Sequence, residues 1–297
     1  MKNIIISFFK KLGLRPFLKN IQKSINYERS ITLNSKKFKT LQLYGAVCVV
    51  NEPWMITLLD NILKIKSKGI MDVGVNIGQT LMEIKSLRPD IPYIGFEPNA
   101  SCVMYVEELI RINKFTNVTL VPVGLFKEDG LFTLDLYYDD MTKSGGSIIQ
   151  DYWAYTKKNP VFRKMVVPVM SFATINKSIP SIDYDFVKID VEGAEMEVLE
   201  TLIDEIVLRK PIIVIEILSA YSEENTLRVE RQNRILEIVN QLDYKILLIQ
   251  EDEDHQLKAL KSITFFDVNA DPNQCNYVFY SNDDSEKVNT IFEKYLK

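Results

Sequence analysis

One histidine among 297 residues, three cysteines, two tryptophans and no long apolar run limit what this chain can be. Cys48, Cys102 and Cys275 are odd in number and lack metal-ligand spacing, which argues against a disulfide framework and supports no metal site. Cys48 lies in AVCVV and reads as a buried, inert thiol, so a reducing cytoplasm is the expected compartment. No run of about eighteen apolar residues occurs, so no membrane-spanning helix is expected. The apolar run before Lys10 is short and no small-residue cleavage site follows it, unlike a secretory signal. Gly/Ser linkers, internal repeats and low-complexity tracts are absent. What is present, 46% hydrophobic and 26% charged residues, suffices for a sizeable core and matches a soluble globular chain. The length fits one α/β domain with extra segments.

The net charge of −4 hides an uneven distribution. Met1 to Lys39 holds ten Lys/Arg against the single Glu28, so this arm is cationic and the rest of the chain acidic. Ile4, Ile5, Phe8, Phe9, Leu12, Phe17, Leu18 and Ile21 alternate with Lys10, Lys11, Arg15, Lys19 and Lys23 at helical spacing. Such a helix either packs on the domain with its lysines in water or rests on an anionic bilayer. Residues 1–23 are therefore a candidate peripheral contact with the inner face of a membrane. With an acidic body, no nucleic-acid partner is expected.

The most informative stretch is IMDVGVNIG, Ile70 to Gly78. A short apolar run ends in Asp72, Gly74 and Gly78 follow four apart, and Gln79 and Thr80 open a segment with Leu81, Ile84 and Leu87 at helical spacing. This is strand, glycine turn, helix. Gly74 and Gly78 let a ligand approach the backbone, and the helix N-terminus points its amides at an anion. The next strand, Tyr93 to Phe96, ends in Glu97, at a spacing that suits a carboxylate gripping ribose hydroxyls. A dinucleotide loop would read G-x-G-x-x-G; here Val75, Asn76 and Ile77 fill the middle. Asp72 at the strand tip repels a pyrophosphate and suits a sulfonium or ammonium centre.

Five separated motifs, DVGVNIGQT, GFEPN, SGGSI at Ser144 to Ile148, VKIDVEGAE at Val187 to Glu195 and PIIVIEI at Pro211 to Ile217, occur in the order seen in the FkbM-type family of S-adenosylmethionine-dependent methyltransferases. The chain resembles that family over about Ile70 to Asn282. It departs at Val75, where the family usually has Ala, at Ala100, where Pro is common, and at Ala173, where Asp is frequent. The resemblance implies S-adenosylmethionine as cofactor. On it, Asp72, Gly74, Asn76, Gly78 and Gln79 surround the methionine part, Glu97 holds the ribose, and Asn99, Val123 and Gly124 flank the adenine. Asp190 counts both in this cofactor site and among the catalytic candidates.

Along the chain, residues 1–66 form the basic arm and lead-in elements, with Phe38 to Val50 extended and Pro53 to Ile65 helical. Residues 67–297 form the main domain. Alternating strands and helices predict an α/β, doubly wound, mostly parallel sheet of seven strands, the Rossmann-like architecture of class I methyltransferases that the resemblance implies. The alternation breaks at about 126–172. There Leu131 to Tyr138 and Lys164 to Ser171 read as a β-hairpin flanking an aromatic-rich stretch, Asp139 to Pro160, suited to substrate recognition, to a lid or to an ordinary surface hairpin.

Asp72, Glu97, Asp190 and Glu216 each stand at or near a strand end, the rim where open α/β sheets bind ligands. Asp190 and Glu192 are candidate bases for deprotonating an acceptor hydroxyl, and equally suit the start of the following helix. Glu216, inside an apolar run, must face a polar cavity. His255, in the acidic loop EDEDH, is a further candidate base. The resemblance implies O-methylation of a small-molecule or glycan acceptor, a sugar, polysaccharide or related natural product. N-methylation would use the same cofactor pocket without a base, and a noncatalytic membrane adaptor would leave the cofactor motifs without a purpose.

Overall fold

The strand tips that make the rim belong to a sheet wound outward in both directions from its centre. The computed structural model describes residues 26–43, 46–137, 146–150, 152, 161–179, 182–269, 271 and 274–297. The basic helix expected over residues 1–23 lies outside the described residues.

The lead-in is a meander of β1 (Tyr27–Leu33), β2 (Lys36–Leu43) and β3 (Ala46–Val47). Asn34 and Ser35 turn the first hairpin, both at positive φ, as a two-residue turn requires. β1 lies within the basic arm, where its charged sequence YERSITL hides it. Helix α1 (Pro53–Ile65) starts on Pro53, where a missing amide costs nothing, and buries Trp54, Met55, Leu58, Leu59, Ile62 and Leu63.

The main domain runs β4 (Ile70–Val73), α2 (Gln79–Leu87), β5 (Tyr93–Phe96), α3 (Ala100–Asn113) and β6 (Val118–Val121). After the insertion, β7 (Gly124–Leu125), β8 (Gly130–Leu136), β9 (Arg163–Met170) and the short α4 (Phe172–Ile175), it continues with β10 (Phe186–Ile189), α5 (Glu195–Arg209), β11 (Ile212–Glu216) and α6 (Thr226–Gln241). It ends with β12 (Tyr244–Glu251), β13 (Leu257–Ile263), β14 (Asn276–Ser281) and α7 (Ser285–Ile291). The large sheet has the order β13-β12-β14-β11-β10-β4-β5-β6. β4, β5, β6, β10 and β11 pair in parallel, and β14 runs antiparallel between β11 and β12. The winding reverses between β4 and β10, which opens a crevice at their carboxyl ends.

The sheet has eight strands where the sequence suggested seven. The addition is β13, an edge strand in a hairpin with β12; Lys258 and Lys261 break its apolar pattern because that edge meets water.

Both faces of the sheet are covered. Val187, Ile189, Ile213 and Ile215 pack under α5 and α6, while Ile70, Phe186, Ile212 and Val214 pack under α1 and α2. Strands enclosed on both sides read as continuous apolar runs. Two charged residues interrupt them, Asp72 on β4 and Lys188 on β10, and they stand opposite one another in the ladder.

The insertion makes a separate sheet, β7-β9-β8, with β8 and β9 antiparallel. Most of Asp139 to Pro160 lies outside the described residues. Of the part that is described, Ser147 exchanges two backbone hydrogen bonds with Asp135, which lays residues 146–148 along β8.

Candidate active site

The turn after β4 is shaped by three residues at positive φ, Gly74 (89°), Asn76 (50°) and Gly78 (87°). A Cβ on Gly74 would stand 1.8 Å from the Asp190 carbonyl oxygen, so only glycine lets the β4 tip pass this close to the β10 tip. Gly78 caps α2 in the left-handed conformation. On β5, Glu97 is held at both oxygens: Oε2 accepts from the Asn76 amide and Oε1 from the Asn99 amide, each at 2.8 Å. Burial pushes its carboxyl up to about 7, with the amides of Asn99 and Asn76 pulling the other way. Asn99 itself caps α3, accepting from the Ser101 amide at 3.0 Å.

These residues face a cleft with about 760 Å³ of space free of protein atoms, its open mouth included. Glu97, Asn99, Gly124, Gly74, Asp190 and Glu192 all line it. Phe96, Leu125 and Ile148 give it apolar walls, and Leu134, Leu136 and Gly146 bring the insertion into the lining.

A second cavity, of about 620 Å³, shares Gly74, Asn76 and Asp190 with the first. Its walls are polar: Glu52, Gln79, Thr80, Glu83, Lys188, Glu216 and Asn276. Lys188 Nζ donates to Asp190 Oδ2 at 2.9 Å. Asp190 and Glu216 share a hydrogen bond, and Cys275 Sγ donates to Glu216 Oε1 at 3.3 Å. Loss of water pushes the Asp190 carboxyl up, but the Lys188 ammonium and the hydrogen bonds from Glu216 and Lys188 outweigh it, leaving Asp190 below the ordinary range. Glu216 goes the other way: desolvation, then the charges of Asp190 and Glu192, hold it well above the carboxylate range. Glu192, at φ 54°, is raised to about 8 by desolvation and the neighbouring Asp190 and Glu195. This rim therefore favours the charged form of Asp190 and the neutral forms of Glu216 and Glu192.

Of the residues singled out in the sequence, Gly74, Asn76, Glu97, Asn99, Gly124, Asp190 and Glu192 line the first cleft. Gln79 and Glu216 line the second. Four residues line neither. Asp72 is wholly buried beneath them, accepting from the Tyr93 hydroxyl at 2.5 Å; its Oδ1 has no hydrogen-bond partner among the described residues. Desolvation pushes it up to about 6 against Lys188 and the Tyr93 hydroxyl. Gly78 shapes the turn rather than the wall, and Val123 packs against the core. His255 is exposed, paired through Nδ1 with Glu251 at 2.9 Å, because the β12–β13 hairpin turn carries it into solvent.

The structure adds Lys188, Glu52 and Glu83, which the sequence reading passed over. Each had a signal: a lysine inside the apolar run FVKI, a glutamate inside LMEI on the buried face of α2, and a glutamate just before Pro53.

The chain matches the methyltransferase FkbM domain over residues 72–246, more than half its length. Methyltransferase 1 of Beauveria bassiana (strain ARSEF 2860) is 27% identical over 147 residues, 46% of this chain and 59% of that protein. The chain thus spans less than two thirds of this curated relative. Among solved structures, it is similar to the methyltransferase FkbM from Methylobacillus flagellatus KT, at 18% identity and TM-score 0.43, covering 72% of this chain and 44% of that one. It is also similar to an O-methyltransferase from Bacillus cereus in complex with SAH, at 12% identity and TM-score 0.45, covering 76% and 79%. By the domain match, this chain belongs to the FkbM methyltransferase family.

Proposed function

We propose that this protein transfers a methyl group from S-adenosylmethionine to a hydroxyl of a sugar, polysaccharide or related natural-product acceptor. One observation carries the reading: Asp190, ion-paired with Lys188 at 2.9 Å, stands where the two cavities meet.

The residues fit the cofactor. Glu97, fixed by two amides, would take the ribose hydroxyls, and Phe96, Leu125 and the bare Gly124 leave a flat apolar slot for a purine. Asn76 and Gln79, at the turn before α2, would face the amino-acid end, where the helix N-terminus favours a carboxylate. When bound, S-adenosylmethionine supplies an electrophilic methyl group on a sulfonium centre. An acceptor hydroxyl must lose its proton as it attacks, and the Asp190 carboxylate is placed to accept it. A positioned base contributes on the order of a hundred to ten-thousandfold. Glu192, raised to about 8, would donate a hydrogen bond to the acceptor's oxygen rather than remove its proton. Leu134, Leu136 and Ile148 add apolar surface to the cleft lining.

The test has two parts. S-adenosylhomocysteine, and not NAD, should raise the melting temperature; at ligand far above micromolar, an unchanged Tm would sink the cofactor assignment. Transfer of labelled methyl from S-adenosylmethionine to a panel of polyols and glycans should then be found, and Asp190→Asn should cut turnover about a hundredfold or more. Labelling of amines alone would replace the hydroxyl acceptor.

A further inference from the structure

Lys188 occupies a strand whose other side chains, Phe186, Val187 and Ile189, are apolar and buried. It is itself only 8% exposed. A lysine there has given up its hydration, and a buried ammonium persists only among opposite charges. Asp190 Oδ2 lies 2.9 Å away, two residues along the chain and hence on the same face of the strand. Asp72 faces Lys188 across the ladder from β4, and Glu52 and Glu83 share its cavity from α1 and α2.

Asp190 is hydrogen-bonded to Glu216 at the end of the adjoining strand β11. Two carboxyl groups form such a bond only when one keeps its proton. The other titratable groups that act on Asp190 are acidic: Glu192 beside it, Glu195 at the start of α5, Cys275 before β14, and Asp72 and Glu52; Arg228 and Arg231 of α6 act on Glu192 and Glu195 rather than on Asp190. Left to these neighbours, the proton has no reason to prefer Glu216. The ion pair supplies one.

We propose that Lys188 is a positioning residue that decides which member of the Asp190–Glu216 pair holds the shared proton, keeping Asp190 ionised toward the cleft and leaving the proton on Glu216. The Glu216 O–H then donates to Asp190 and fixes the direction of the carboxylate. The proposal extends the reading of Asp190 as the base, but its test needs neither cofactor nor acceptor.

The melting temperature of the full chain is measured at pH 5.5 and pH 8 for the parent, Lys188→Met, Lys188→Arg and Glu216→Gln. In Lys188→Met, Asp190 can stay neutral at the lower pH but must ionise without a counter-ion at the higher. The gap to the parent should widen by at least about 3 °C between the two. Lys188→Arg should show no widening. Glu216→Gln replaces a neutral carboxyl with a neutral amide that no longer ionises on unfolding, so the parent should lose at least about 3 °C relative to this variant between pH 5.5 and pH 8. A Lys188→Met penalty equal at both pH values means that the lysine only fills space, and it overturns the proposal. So does a Glu216→Gln offset that stays constant between them, since Glu216 would then be ionised in the folded protein as it is in the unfolded one. If Lys188→Met does not fold, the Lys188→Met/Asp190→Asn double variant should fold, because the charge to be balanced is gone; an unfolded double variant also overturns it. Failure of S-adenosylhomocysteine to bind the parent is a separate result, which removes the cofactor reading and leaves these melting curves to be judged alone.

Discussion

Glu97 has both oxygens engaged before any ligand arrives. Asn76 and Asn99 fix its carboxylate from two different loops, so the group is preorganised and loses little side-chain freedom when it binds. That makes its removal informative. Glu97→Ala should weaken S-adenosylhomocysteine binding by roughly ten- to a hundredfold, the usual worth of hydrogen bonds to a charged group. Calorimetric titration measures it directly, and a change under threefold would mean that the carboxylate braces the two loops and holds no hydroxyl. Because burial lifts this acid to about 7, affinity in the parent should also decline as pH falls below 7, where the carboxylate, the better acceptor, takes up a proton. Asp190→Asn should behave in the opposite way, lowering turnover while leaving the same dissociation constant nearly unchanged.

At the scale of elements, the Glu192–Gly193 turn is held by α6 and by the insertion together. Gly193 follows Glu192 at φ 119°, and a Cβ there would stand 2.8 Å from the Tyr152 ring. Arg228 of α6 stacks on that ring at 4.4 Å and donates to the Tyr152 carbonyl at 3.2 Å. Arg231, one turn further along α6, donates to the Gly193 carbonyl at 2.7 Å. Tyr152 thus joins the return of the insertion to the Glu192–Gly193 turn. Tyr152→Ala should reduce turnover about tenfold or more by loosening that turn, whereas binding of S-adenosylhomocysteine, anchored at Glu97, should change less than threefold. Tyr152→Phe should retain activity, since the stacking and the backbone contacts survive; an equal loss of affinity and turnover in Tyr152→Ala would show a general collapse of the cleft instead.

This clamp also shows where sequence reading stops. The seven strands of the core were legible because enclosed strands are apolar runs with acids at their tips, as at Ile70 to Asp72 and Phe186 to Asp190. β13 was not, since an edge strand with two exposed lysines has no such signature. Glu97, Asp190 and Glu192 stood out through their places after strands. Lys188, Glu52 and Glu83 did not, because a charged residue in isolation reads as a surface residue. Their meaning arises only when β10, α1 and α2 converge on one cavity. His255 shows the reverse: its chemistry suits a base, and the two-strand hairpin places it in water, paired with Glu251.

For the whole molecule, the acids at the rim set how stability varies with pH. Asp72 is raised to about 6, Glu97 and Glu195 to about 7 and Glu192 to about 8, in each case first of all by desolvation. Unfolded, these carboxyls titrate near 4. Between about pH 4.5 and 8 the folded chain therefore binds more protons than the unfolded one, and stability must fall as pH rises. Groups with the opposite sign act outside that window. Asp190 and the exposed Asp129 and Asp283 are lowered, so their contribution is lost only in acid below about pH 4. Lys85, lowered to about 8 by burial, acts only above that pH. The ligand-free protein should accordingly melt roughly 5 °C or more lower at pH 8 than at pH 5.5, each degree reflecting a few tenths of a kcal/mol for a chain of this size. A sulfonium ligand supplies the missing positive charge, so its stabilising effect should be larger at pH 8 than that of the uncharged thioether S-adenosylhomocysteine, and the two should converge toward pH 5.5 as the acids take up protons. Parallel melting scans with the two ligands across this range measure the difference; a ligand-free Tm that rises toward pH 8 would show that these carboxyls are already ionised and solvated in the folded protein at pH 5.5, and the sulfonium ligand would then gain no extra advantage at pH 8.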